Sequence, residues 1–281
     1  MAKVTIITAS YNYSQYIGGA IESVINQTYK DWEMLVIDDG SKDNSVEIIK
    51  EYVKKDNRIK LLTHPDNENR GLVETLKLGL SEAKGEFVVF LESDDYIKED
   101  YIEKKLEIFN KNNSVGLVYN NVQMIGLAPS KKYINWINRI NNYWLKNNYP
   151  HNIHQLFALE TYIPTFSCVM LKKDLLNNIK WDSPNPAWTD LWLWIQISKI
   201  CDMYCLPEVL TFWRMHKDSY LNNAKKQPLK GYNFYKTLLF SNIFNIKRFD
   251  YKILFYWKKF IRLIYYKYYC LIRNSKSNTG N

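Results

Sequence analysis

Four short runs in the first ninety-one residues dictate the architecture. Val4–Thr8 (VTIIT), Trp32–Ile37 (WEMLVI), Ile59–Leu62 (IKLL) and Phe87–Leu91 (FVVFL) are each four to six residues long and mostly apolar. Between them lie segments with helical spacing: Ile17, Ala20, Ile21, Val24 and Ile25; then Val46, Ile49, Tyr52 and Val53; then Leu72, Thr75, Leu76, Gly79 and Leu80. Ser14 is the N-cap candidate of the first segment, and Asp43, Asn44 or Ser45 of the second. Runs this apolar suit strands covered on both sides, and strands joined through helices run parallel. The expectation is an α/β fold with a mostly parallel, doubly wound sheet flanked by helices. Further strands are expected at Val115–Tyr119, Ser167–Leu171 and Leu210–Arg214, and a helix over 188–200 (WTDLWLWIQISKI). The segment 129–163, rich in Asn, Tyr and Trp, has no clear periodicity.

Sheets of this kind bind ligands beyond the carboxyl ends of their strands. Those ends are polar here: Ser10-Tyr11-Asn12 after the first run, Asp38-Asp39-Gly40-Ser41 after the second, Glu92-Ser93-Asp94-Asp95 after the fourth. Crowded carboxylates raise one another's pKa unless a cation lies between them. A divalent ion with oxygen ligands and positions left open for phosphate meets that need. The competing reading is a solvated loop with helix-capping acids. No GxGxxG follows the first run and no GxxxxGK[ST] occurs, so the sequence has no glycine cradle for phosphates. Metal and side chains would hold them instead, as suits a sugar nucleotide whose diphosphate must leave.

The formal charge of +9 is unevenly placed. Residues 1–224 carry 25 Lys/Arg and 28 Asp/Glu, whereas 225–281 carry 13 Lys/Arg and one acid, Asp250. Drawn as a helix, Lys252–Arg273 puts Lys252, Lys258, Lys259, Arg262, Lys267 and Arg273 on one half of the wheel. Ile253, Trp257, Phe260, Ile261, Ile264, Tyr268 and Leu271 occupy the other half. That separation fits a helix lying in the surface of an anionic membrane. Packing of the apolar face on the rest of the chain, or on a second copy, stays open. Nucleic acid is not an expected partner, because the first 224 residues are net acidic and offer no second basic surface. No stretch reaches the roughly 18 apolar residues of a membrane span, and MAKVTIITAS reads as a first strand rather than a signal peptide. Cys168, Cys201, Cys205 and Cys270 lack the spacing of a zinc site and suit buried thiols.

Taken together, VTIITASYN, QTYKDWEMLVIDDGSKDNS, NRGL and AKGEFVVFLESDD resemble the family 2 glycosyltransferases of GT-A (Rossmann-like) fold, closely over residues 3–100 and more loosely over 115–216. The resemblance implies an inverting, metal-dependent enzyme moving a sugar from a UDP-sugar to a glycan or lipid-linked acceptor. The setting it implies is bacterial surface polysaccharide biosynthesis: capsule, lipooligosaccharide or O-antigen. It implies nucleotide contacts from Ser10, Tyr11, Asp39, Arg70 and Asp94, with Tyr11 flanking the base and Asp39 accepting the uracil N3–H. A thymine N3–H would serve equally, so a dTDP donor stays open. Mn2+ or Mg2+ would be held by Asp94, Asp95 and His216. Asp190 would be the catalytic base, with Trp192 and Arg214 as acceptor or phosphate contacts.

The implied organisation is a glycosyltransferase domain over 1–224, with a nucleotide-sugar half (1–114) and an acceptor half (115–224), followed by a basic aromatic helical extension (225–281). That extension would keep a cytoplasmic protein peripheral to the inner membrane or join a homodimer. The sequence departs from the family pattern at Glu92, where Asp is usual, at Thr189, where Glu is usual, and at Ala9 and Lys77. A capping role for Asp190, and core roles for Trp188 and Trp192, stay open beside the functional ones. Two rival functions use the same residues. A sugar nucleotidyltransferase would want a glycine-rich N-terminal loop, absent here. A non-catalytic nucleotide-sugar-binding or assembly subunit is favoured by Glu92 and Thr189.

Overall fold

The computed structural model describes residues 2–127, 135, 163–183 and 188–217. The extension 225–281 with its expected membrane-surface helix, Cys270 and nearly all of 129–163 lie outside the described residues.

The first half follows the predicted alternation: β1 (Val4–Ser10), α1 (Ser14–Ile25), β2 (Trp32–Asp38), α2 (Ser45–Lys55), β3 (Ile59–Thr63), α3 (Leu72–Glu82) and β4 (Phe87–Phe90). Then come β5 (Tyr96–Ile97), α4 (Tyr101–Lys111), β6 (Val115–Gly126), β7 (Val169–Lys172), α5 (Thr189–Ile197) and β8 (Asp202–Met215). Helix α4 was not anticipated. Its inward face holds Tyr101, Ile102, Leu106 and Phe109 but also a fully buried Lys105, which interrupts the apolar stripe. Strand β8 starts at Asp202 rather than Leu210, because its pairing with β6 tolerates register shifts around Asn120 and Asn121.

The eight strands form one sheet in the order β3-β2-β1-β4-β7-β6-β8-β5. Strands β3, β2, β1 and β4 are parallel, as expected for runs buried on both faces. The other half is mixed: β7 is antiparallel to β4 and β6, β8 is parallel to β6, and β5 is antiparallel to β8. Val4, Ile6, Met34 and Val36 share a core with Ile17, Ile21 and Val24 of α1, Ile49 of α2 and Tyr101, Ile102 and Phe109 of α4. Alternation along the strands sends Ile7 and Ile37 to the opposite face, against α3. There a Cβ added at Gly79 would stand 2.6 Å from Ile7 and 2.7 Å from Ile37, so only glycine lets the helix approach this closely.

The chain divides into two compact units. One comprises 1–151, 163–179 and 200–215 and contains the whole sheet; the other comprises 152–162, 180–199 and 216–281 and contains α5. The anticipated line between residues 114 and 115 falls inside the first unit, and that between 224 and 225 lies outside the described residues.

One carboxylate serves the starts of two helices. Neither Ser14 nor Asn44 makes a side-chain cap. Asp43 instead accepts the Ser14 N–H at 2.9 Å and the Ser45 N–H at 3.0 Å, together with the Ser45 hydroxyl at 2.5 Å. Desolvation works against its charge, but the hydrogen bonds from Ser45 and Ser14 outweigh it and hold the carboxyl below its usual 3.8. Asp43→Ala is therefore expected to cost about 2 kcal/mol, the upper end of the range for a single cap. Because the folded pKa is depressed, this stabilisation is present above pH 3.8 and lost as pH falls through the lower folded value. Thermal melts of the wild type and Asp43→Ala should converge in acid; a constant gap down to pH 2 would disprove the double cap.

Candidate active site

The C-terminal edge of the parallel strands gathers the polar residues singled out from sequence. Asp38, the last residue of β2, turns inward: its Oδ2 accepts from Gly40 N at 3.1 Å and Ser41 N at 2.9 Å. Gly40 has φ +78, and a Cβ there would lie 2.7 Å from the Asn67 carbonyl, so this turn requires glycine. Its neighbour Asp39 is 5% exposed and joined to β1 through its own N–H, which donates to the Ser10 carbonyl at 2.8 Å. The Asp39 carboxylate accepts the Arg70 N–H at 2.7 Å through Oδ1 and the Gly71 N–H at 2.9 Å through Oδ2. Two consecutive amides thus fix its plane while each oxygen keeps a further lone pair.

Arg70 approaches Asp39 through its backbone; its guanidinium pairs with Asp66 on the surface. Tyr11 is 44% exposed just beyond β1, with its ring open to a flat ligand. Buried His64, to which the sequence assigned no role, stands behind Asp39. Its Nε2 lies 3.1 Å from Thr75 Oγ1 and 3.4 Å from Asp39 Oδ1. Only its position directly after β3 could have drawn attention to it.

The turn after β4 holds the second group of acids. It closes on itself by the Asp95 N–H to Glu92 carbonyl bond at 3.1 Å. Glu92 turns its carboxylate to the Thr165 hydroxyl. Asp95 is 1% exposed, and both its oxygens are engaged: Oδ1 accepts the Arg214 N–H at 2.8 Å and Oδ2 the Ser167 hydroxyl at 2.7 Å. Desolvation, reinforced by the charges of Asp94 and Glu92, pushes the Asp95 carboxyl well above its usual 3.8. Asp94 is half-buried and carries the more accessible carboxylate of the pair. Arg214 binds the Asp94 carbonyl through Nε at 2.8 Å, with its guanidinium 5.1 Å from the Tyr16 ring and 5.8 Å from Tyr96.

Among the described residues no three His, Cys, Asp or Glu side chains converge as a closed metal cage requires. The donors at this turn, the hard carboxylate oxygens of Asp94 beside the buried Asp95 carboxyl, fit Mg2+ or Mn2+ that completes its shell with phosphate oxygens. The thiols play no part in such a set: Cys168 and Cys205 are buried, and burial pushes Cys201 up to about 12 and Cys205 higher still.

The remaining candidates belong to the second unit. Helix α5 begins at Thr189, its N-cap Trp188 makes no side-chain cap, and Asp190 stands in its first turn. Its Oδ1 accepts the next N–H, that of Leu191, at 2.7 Å. Desolvation nevertheless raises the Asp190 carboxyl from 3.8 to about 6. Trp192 is 8% exposed and its indole N–H donates to the Lys180 carbonyl at 2.7 Å, so its polar edge is spent inside this unit. His216, the first residue after β8, is buried.

Comparison with known proteins bears on the family and the fold. Residues 5–179 match glycosyl transferase family 2. An uncharacterized glycosyltransferase of Haemophilus influenzae is 40% identical over 115 residues, which is 41% of this chain and 45% of that protein. The aligned part is thus less than half of that relative's length. A longer match is the TuaG protein of Bacillus subtilis, described as a putative teichuronic acid biosynthesis glycosyltransferase, at 28% identity over 84% of this chain and 88% of the relative. Among solved structures, S. aureus TarS 1–349 in complex with UDP-GlcNAc superposes with a TM-score of 0.66 at 17% identity, over 90% of this chain and 70% of TarS. The mannosyltransferase PcManGT of Pyrobaculum calidifontis, in complex with GDP-Man and Mn2+, does so with 0.64 at 16% identity, over 94% and 73%. These structural likenesses establish the GT-A fold. With more than half of its length matched to the family, the chain belongs to glycosyl transferase family 2.

Proposed function

We propose that this protein is an inverting, metal-dependent glycosyltransferase that takes a sugar from a UDP-sugar and passes it to a hydroxyl of a glycan or lipid-linked acceptor in surface polysaccharide assembly. The observation that carries the reading is Asp39, a carboxylate held edge-on by two consecutive amides, two strands across from the acidic turn. Two strand spacings amount to roughly 10 Å, a separation that lets one group accept an imide N–H while the other meets the diphosphate of the same nucleotide. Tyr11 would stack on the base, with Ser10 and Arg70 beside it. Asp94, with Asp95 beneath and His216 as a third candidate, would hold Mn2+ or Mg2+. When bound, the ion would neutralise charge on the departing diphosphate. The family match and the nucleotide-sugar complexes of the structural neighbours support this donor class.

Asp190 is assigned as the base that takes the acceptor's proton. A carboxylate with a pKa of about 6 is ionised at neutral pH yet more basic than an exposed one, which suits general-base work. Trp192, from the same helix, and Arg214 are the acceptor and phosphate candidates. The basic, aromatic segment 225–281 is assigned to an anionic membrane surface on its charge segregation. Among the described residues no helix is long and apolar enough to cross a membrane.

Five outcomes are expected. Asp39→Asn turns an acceptor into a donor and should weaken UDP binding by roughly 10- to 100-fold in calorimetry. Chelation by EDTA should abolish turnover, and added Mn2+ or Mg2+ should restore it. Turnover should rise with pH up to about 6 and then level, since below that value Asp190 is protonated and cannot accept. Asp190→Asn should bind UDP normally but lose about 10²- to 10⁴-fold in kcat. Unchanged turnover in folded Asp190→Asn would place the base elsewhere, and UDP binding without turnover on any acceptor would favour a non-catalytic subunit. For the tail, the full chain carrying Lys258→Glu, Lys259→Glu and Arg262→Glu should no longer sediment with phosphatidylserine vesicles; undiminished binding would refute the membrane assignment.

A further inference from the structure

The acidic turn is held from behind by a set of residues that sequence motifs do not mark. In the antiparallel ladder of β4 and β7, Phe87 faces Lys172, Val88 faces Leu171 and Val89 faces Met170. Continued beyond the last pair, that register sets Ser167 opposite Glu92. The Ser167 hydroxyl accepts the Glu92 N–H at 3.0 Å, which leaves its own proton for Asp95 Oδ2 at 2.7 Å. One hydroxyl therefore ties the first residue of the turn to the last.

Ser167 lies in a short 3-10 turn, Phe166–Cys168, which is fully or nearly buried. Side chains of α4 meet its carbonyls. The Tyr101 hydroxyl is 3.0 Å from the Ser167 carbonyl and 2.9 Å from that of Val169, and the Lys105 ammonium donates to the Cys168 carbonyl at 2.6 Å. Two side chains one helical turn apart on the same face thus reach three consecutive carbonyls, with the single Tyr101 proton shared between those of Ser167 and Val169. Both side chains are fully buried, and Lys105 packs 3.8 Å from the Tyr101 ring centre. Burying a lysine is costly, and an apolar residue of similar length would fill the space. What the apolar residue would not supply is a fixed position for Ser167.

We propose that Ser167, held in place by Tyr101 and Lys105, is a positioning residue that sets the acidic turn so that Asp94 meets a cation bound to the donor diphosphate. The inference rests on the donor-site reading above. Its test uses the full chain with Ser167→Ala, Ser167→Thr and Tyr101→Phe, followed by two measurements. The first is amide hydrogen exchange at Glu92, which needs no ligand. The second is UDP calorimetry with and without Mn2+.

In Ser167→Ala the Glu92 amide should exchange about tenfold faster. The Mn2+ concentration needed to enhance UDP binding should rise about tenfold, as for other residues that orient metal ligands. UDP affinity without metal should stay within about twofold of wild type, since Asp39 is untouched. Tyr101→Phe should shift both readouts the same way, and Ser167→Thr should restore both. Wild-type exchange and wild-type Mn2+ response in folded Ser167→Ala would overturn the inference alone, and Tyr101→Phe decides by the same criteria if that variant does not fold. UDP binding by the wild type that ignores Mn2+ would instead overturn the donor-site reading, and this inference with it.

Discussion

A carboxylate buried at the seam between two half-sheets is the constraint that organises this fold. Asp95 is almost completely removed from water, and burial together with the nearby charges of Asp94 and Glu92 makes its ionised form costly. It is tolerated because Ser167 and the Arg214 backbone each supply a hydrogen bond. Those donors come from Ser167, just before β7, and Arg214, within β8, far apart in sequence and brought to the turn by the antiparallel pairings of β4 with β7 and of β5 with β8. The mixed half of the sheet is therefore the clamp on the acidic turn that the parallel half presents.

The two acidic strand ends are built differently because they are suited to different tasks. Asp39 accepts two backbone amides, which fix its orientation and keep it an acceptor; an imide N–H meets such a group without moving it. The turn after β4 concentrates three carboxylates, which mutual repulsion opposes unless a cation is near. The proposed base recognition draws on the first arrangement and the proposed cation on the second. Asp190 adds a third environment. There desolvation, with no carboxylate neighbour among its causes, raises the pKa to about 6 although the carboxylate accepts the Leu191 N–H.

The recognisable motifs lie in the parallel half, while the family match runs on through β6 and β7 to residue 179. The less similar second half nevertheless supplies Thr165, Ser167 and Arg214, all in contact with the turn. Substitutions at those positions can therefore alter the acidic turn without changing any residue of the recognisable motifs. Glu92, where the family pattern has Asp, turns its carboxylate to the Thr165 hydroxyl from that half.

Local patterning was enough to read β1 to β4 and α1 to α3 from the sequence, because run length and 3.6-residue spacing are properties of contiguous residues. The same holds for the acids at the strand ends. Helix α4 escaped notice because Lys105 interrupts its apolar face, and a lysine is inward-facing only when carbonyls from another element await it. The extent of β8 was hidden because its register with β6 slips around Asn121. Nor could sequence tell that Arg70 serves Asp39 through its backbone, that His64 backs the same carboxylate, or that Ser167 bridges Glu92 and Asp95. Sequence by itself determined which chemistry stands at the strand ends; only tertiary structure decided how each carboxylate is oriented and solvated, because hydrogen-bond partners and desolvation come from residues distant along the chain.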